Sequence, residues 1–118
     1  MSKEKQLTIF ESEAIDQYYR QKRIVEEYES ELKNMPISIL KGYISTKRIY
    51  GREYCYLQWK DNGKLKSQYL KKSEIQETID KIEFRKSRQR SIDRLKESIK
   101  SIEKFIGKER IAKHERLI

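Results

Sequence analysis

Apolar positions recur along this chain in more than one rhythm. In the first part they fall at Ala14, Tyr18, Gln21, Val25, Tyr28, Leu32 and Met35, with steps of four and three in alternation. That is the seam of a helix that packs on another helix. Thr8-Ile9-Phe10-Glu11 reads as a capping box at its start, because a Thr hydroxyl can accept from a first-turn amide while Glu11 reaches back to the amide of Thr8. Pro36 disfavours helical geometry in the residue before it, so the pattern predicts a helix over residues 8–35.

The period then changes. Residues 42–50, 53–60 and 64–70 are short runs rich in Tyr, Ile, Thr and Trp, separated by Gly51-Arg52 and by Asp61-Asn62-Gly63. They predict a three-stranded antiparallel meander over residues 42–70. A second capping box, Ser73-Glu74-Ile75-Gln76, opens a stripe of Ile75, Ile79 and Ile82, resumed at Ile92, Leu95, Ile99, Ile102 and Ile106. Between the two sets, from Phe84 to Arg90, the stripe positions are polar and the phase slips. No Gly or Pro interrupts the stretch, so one continuous helix over 73–106 is expected, about 50 Å long, with Gly107 as its stop and a short helical tail over 108–118. The fold class is α+β in the order α-β-β-β-α, read as a single domain over 1–118. Its long helices pair as a coiled-coil-like hairpin, or between subunits of a homo-oligomer.

The second turn sets which side chains share a face. As a three-residue loop with Gly63 left-handed at a bulge, Asp61-Asn62-Gly63 would pair Lys60 with Lys64, Trp59 with Leu65, Leu57 with Ser67 and Cys55 with Tyr69. Cys55, Leu57, Trp59, Leu65 and Tyr69 would then form the core face, and Tyr54, Tyr56, Gln58, Lys60, Lys64, Lys66 and Gln68 the outer one. A two-residue Asn62-Gly63 loop would bring Lys66 and Gln68 beside Trp59 and Leu57. Burying an unpaired ammonium is costly, so the bulged register is preferred. The first strand, joined across Gly51-Arg52, adds Ile44 and Thr46 to the core face and Tyr43, Ser45 and Lys47 to the outer one.

Composition changes the picture in two ways. The 118 residues are 40% charged, with a net charge of +9. Leu, Ile, Val and Phe make up 28 of them, just above the roughly one-fifth below which a highly charged chain stays disordered. A thin core built from long amphipathic elements is expected. Charge is also unevenly spread. Residues 1–34 hold six basic and eight acidic side chains, whereas residues 35–72 hold nine basic and two acidic ones. The middle third thus carries +7 of the total, which points to one face of the sheet.

Other chemistry is sparse. No apolar run approaches the roughly 18 residues of a membrane span and the start lacks a signal-peptide pattern, so a cytoplasmic protein without membrane association is expected. The single cysteine, Cys55, excludes an intramolecular disulfide and multi-cysteine metal sites. His114 is the only histidine and has no cysteine or serine motif to partner it, and no phosphate loop or GxGxxG is present. Neither an enzyme nor a metal or other cofactor is expected.

The outer sheet face is the most informative feature. Planar rings give sequence-tolerant stacking, lysines neutralise phosphates, and a Gln amide can pair with a base edge. The leading reading is a nucleic-acid-binding module, for DNA before RNA, using Tyr43, Lys47, Tyr54, Tyr56, Gln58, Lys60, Lys64 and Lys66. An exposed sheet face also takes Lys for solubility and Tyr for strand propensity without binding anything. Arg85, Lys86, Arg88, Arg90 and Arg94 form a secondary basic patch, for which a solvated helix stretch is the leading reading. The alternative function is protein interaction, of the kind a phage would use to inhibit a host nucleic-acid-handling or defence complex. A weaker one is capture of a nucleotide ligand between subunits, clamped by Arg and Tyr.

The motifs Lys41-Gly42-Tyr43-Ile44, Gly51-Arg52-Glu53-Tyr54-Cys55-Tyr56-Leu57-Gln58-Trp59 and Gly63-Lys64-Leu65-Lys66-Ser67-Gln68-Tyr69 together resemble a widespread family of small uncharacterised proteins from bacteria, archaea and their mobile elements. That resemblance implies a helix, three strands and a charged helix in this order, and no activity. More loosely, the sheet looks like the three-stranded arm-binding domains of phage-type integrases, which lay a sheet in the major groove; this is an analogy of fold. Excess Lys and Ile with only two alanines suggests an AT-rich coding genome, consistent with a Firmicute or its phage.

Overall fold

The computed structural model describes residues 9–117, with side chains through His114. Its elements follow the expected order, the helical tail after Gly107 included, with one addition, a helical turn ahead of the sheet. Helix α1 (Ile9–Lys33) is followed by a single helical turn α2 (Ile37–Leu40), strands β1 (Tyr43–Ile49), β2 (Arg52–Asp61) and β3 (Lys64–Leu70), the 35-residue helix α3 (Lys72–Ile106) and α4 (Lys108–Leu117). The strands form one antiparallel sheet in the order β1-β2-β3. The expected α+β class and element order both hold.

Two compact units are present. Among the described residues, the first joins residues 9–29 to 91–117 and the second is Ser30–Arg90. In the first unit, Ile15, Tyr18, Ile106 and Ile111 form a buried cluster, supported by Ile99 and Ile102. The seam of α1 is confirmed there by buried Tyr18 and Val25, and Ile15 beside it is fully buried. Polar contacts surround the cluster: Glu11 pairs with Arg110, Tyr18 donates to Glu103 and Tyr19 to the carbonyl of Ile111. The capping residue expected at Thr8 lies outside the described residues. Gly107, at φ 92°, ends α3 as expected, and its amide donates to the carbonyl of Glu103.

In the second unit the core comprises Ile39, Leu57, Leu70 and Ile82, with Met35, Ile44, Cys55, Trp59 and Ile75 packed around them. The start of α3 differs from expectation. Its first helical residue is Lys72, and Glu74 accepts from the amide of Lys71 at 3.1 Å, so the acidic half of a capping box forms two residues earlier than Ser73 would place it. Gly42 lets α2 close on the sheet: a Cβ there would lie 1.7 Å from the carbonyl oxygen of Ser38 and 2.8 Å from Leu57 Cδ1.

Both hairpin registers need correction. The first loop is Tyr50-Gly51, not Gly51-Arg52, with Ile49 opposite Arg52. The expected faces survive, since Ile44 and Thr46 stand opposite Leu57 and Cys55, and Tyr43, Ser45 and Lys47 lie on the other side. The second loop is the two-residue Asn62-Gly63 turn, at φ 51° and 77°, which places Asp61 opposite Lys64, Trp59 opposite Lys66, Leu57 opposite Gln68 and Cys55 opposite Leu70. Consecutive positive φ values are those of a type I′ turn, whose twist matches the flanking strands. The objection to this register was burial of Lys66, and it does not apply. Of β3 only Leu70 is buried, so the lysines on its inner side remain in solvent.

Candidate nucleic-acid interface

Side chains of a strand alternate between faces, so a one-residue change of register moves every residue of β3 to the opposite side. Lys64 and Lys66 therefore lie on the face of Trp59, not with Tyr54 and Tyr56 as expected. Leu65 and Tyr69, expected in the core, lie on the outer face and are 56% and 52% exposed. The outer face consequently carries Tyr43, Tyr54, Tyr56 and Tyr69 from three different strands. Tyr69 was missed by sequence reasoning, although Asn62-Gly63 is itself the signature of the tight turn that places it there.

These rings form a connected surface. Tyr69 touches Tyr56 edge-on at 5.8 Å between centroids and Tyr54 at 6.3 Å, and the Lys47 ammonium sits 5.1 Å above the Tyr56 ring. Gln58 is on the same face but buried, and its Nε2 donates to Ser67 Oγ at 3.5 Å. It ties β2 to β3 beneath the rings. The exposed cations of this face are Lys47, Arg52 and Lys60, and no carboxylate shares it. Both acidic residues of the sheet lie on the opposite side, where Glu53 pairs with Arg48 at 3.3 Å and Asp61 with Lys66 at 3.1 Å. The outer face is thus more aromatic and less densely basic than expected, with its remaining charge of one sign.

The arginine run of α3 does not form one patch. Arg85 and Arg88 occupy the inward stripe between Ile82 and Ile92, where the apolar periodicity lapses. Arg85 donates from one terminal nitrogen to the carbonyls of Ile39, Leu40 and Gly42 at 2.8, 2.7 and 3.3 Å, closing the end of α2. Arg88 pairs with Glu31 at 2.7 Å and stacks on Phe84. Lys86, Arg90 and Arg94 are exposed.

Among the described residues no helix is long and apolar enough to cross a membrane, and no cluster of three or more His, Cys, Asp or Glu could hold a metal ion. Cys55 is half-buried on the core face, with its sulfur 3.9 Å from the Thr46 hydroxyl. No curated protein and no solved structure matches the chain. One family model does, over residues 15–81, a span that takes in most of α1, the whole sheet and the opening turns of α3. The chain accordingly belongs to the family described as Domain of unknown function (DUF6788).

Proposed function

We propose that this protein is a non-enzymatic nucleic-acid-binding module whose contact surface is the outer face of the sheet. The observation that carries this reading is the group of four tyrosines on one face, three of them in ring contact, with cations around them and no carboxylate. Rings of this kind stack on bases whatever their identity, and each such contact contributes about 1–3 kcal/mol. Lys47, Arg52 and Lys60 would neutralise phosphates beside the stacked bases.

The test is binding of labelled oligonucleotides at rising salt. Affinity that falls with salt, and that drops about tenfold in Tyr56→Ala or Tyr69→Ala, is the expected result. Absence of binding at low salt would sink the proposal. A partner protein retained after nuclease treatment, with no nucleic acid bound, would favour protein interaction instead.

A further inference from the structure

A groove of about 580 Å³ lies between the end of α2, the start of β1 and the Arg85–Arg90 stretch of α3. Leu32 and Leu40 line it together with Lys41, Tyr43, Lys86 and Arg90. Arg85 also lines it, but is held by three carbonyls. Lys41, Lys86 and Arg90 are exposed, form no ion pair with any described carboxylate, and no acidic residue lines the groove. Acidic partners are taken up elsewhere in this unit, by Arg48, Lys66, Lys81 and Arg88. Three unneutralised cations converging on one concavity define a place where an anion gains attraction without displacing an existing pair.

Tyr43 belongs to both surfaces. It stands opposite Gln58 on the outer face of the sheet and lines the groove. A ligand with alternating rings and charges could therefore pass from one to the other. Double-stranded nucleic acid hides its base faces in the helical stack, and so cannot use four tyrosines as a platform. The sheet face alone offers three cations, fewer than the roughly 6–10 phosphate contacts of strong duplex binding.

We infer that the ligand is a single-stranded nucleic acid, with bases stacked on the tyrosine face and backbone phosphates seated in the groove by Lys41, Lys86 and Arg90. This inference rests on the nucleic-acid reading of the sheet and adds both the strand form and a second binding surface. The groove cations act as point charges on phosphate oxygens, which gives affinity without sequence preference.

The experiment compares a labelled 12-nucleotide single strand with its duplex by fluorescence anisotropy at several salt concentrations, using the full chain. Variants are the triple exchange Lys41→Gln, Lys86→Gln, Arg90→Gln, and separately Tyr56→Ala, with folding checked by circular dichroism. All three groove positions are exposed, so the triple variant should fold. The single strand is expected to bind more tightly than the duplex. With three fewer phosphate contacts, the slope of log affinity against log salt should become shallower by about 2, with a loss of affinity of about 500-fold at 50 mM salt. Tighter binding of the duplex overturns the inference, as does a triple variant with the parent's slope while Tyr56→Ala is weakened; both leave the function proposal standing. No binding of either form overturns the function proposal and this inference together.

Discussion

Trp59 stands directly opposite Lys66 across the second hairpin, and the lysine stays in water by reaching Asp61 at 3.1 Å. An aromatic core residue and an ammonium are cross-strand neighbours here because the core covers only part of the inner sheet face. Trp59 is half-buried, while the Lys66 side chain is 51% exposed. An exposed pair of this kind contributes at most about 1 kcal/mol, so it accompanies the register more than it causes it.

Register is testable through two leucines of the same strand. Leu70 is 3% exposed and Leu65 is 56% exposed. Leu70→Ala is expected to cost about 2–5 kcal/mol in urea unfolding, and Leu65→Ala under about 1 kcal/mol. The bulged alternative would reverse the order, since it turns Leu65 inward and Leu70 outward.

The two hairpins offer a comparison at their tips. Asn62 and Tyr50 both adopt left-handed backbone geometry, at φ 51° and 52°, ahead of a glycine. Asparagine tolerates that conformation, whereas a bulky side chain there is destabilised by about 1 kcal/mol. Tyr50 is fully solvent-exposed and gains no packing in return. Tyr50→Asn should therefore raise stability by about 1 kcal/mol in thermal or urea unfolding, and an unchanged or lowered midpoint would contradict the strain assigned to this turn.

Arg85 donates to three backbone carbonyls at the end of α2 and just after it. Replacing it with Met keeps much of the aliphatic stem and removes the donors. Arg85→Met is expected to cost about 1–3 kcal/mol, because three carbonyl acceptors would lose a charged donor. Stability within about 0.5 kcal/mol of the parent would mean that water replaces the guanidinium.

Gln21 occupies a seam position of α1, and its Oε1 is buried with no hydrogen-bond partner among the described residues. An apolar residue of similar length removes that desolvation cost. Gln21→Leu should stabilise the protein by about 1 kcal/mol in urea unfolding. A loss of stability would show that the amide makes a bond through water.

Much of the architecture was legible in the chain itself. The steps of four and three from Ala14 to Met35 identify the buried side of α1, as Tyr18, Val25 and Leu32 show at 8%, 6% and 8% exposure. Absence of Gly and Pro between Ser73 and Ile106 predicted the unbroken α3, and positive φ at Gly107 ends it as the residue type suggested. These are local properties, set by backbone sterics and the periods of helix and strand, and they need no knowledge of neighbours.

Face assignments were another matter. The excess of +7 in residues 35–72 is a property of composition, but its division is not. Lys47, Arg52 and Lys60 lie with the tyrosines, Arg48, Lys64 and Lys66 lie on the other side, and Lys41 lines the groove. A side-chain period of two makes this outcome hinge on a single residue of register. That register depends on how far the core extends beneath β3, which no stretch of β3 encodes alone. The arginine run is similar: a charge run reads as solvent-facing until the carbonyls of Ile39, Leu40 and Gly42 are brought to Arg85 by residues more than 40 positions away. Sequence alone determined which elements form and how much charge each carries. Only tertiary packing decided which charges were already partnered and which were left to meet a ligand, because partners distant in the chain compete for the same side chains.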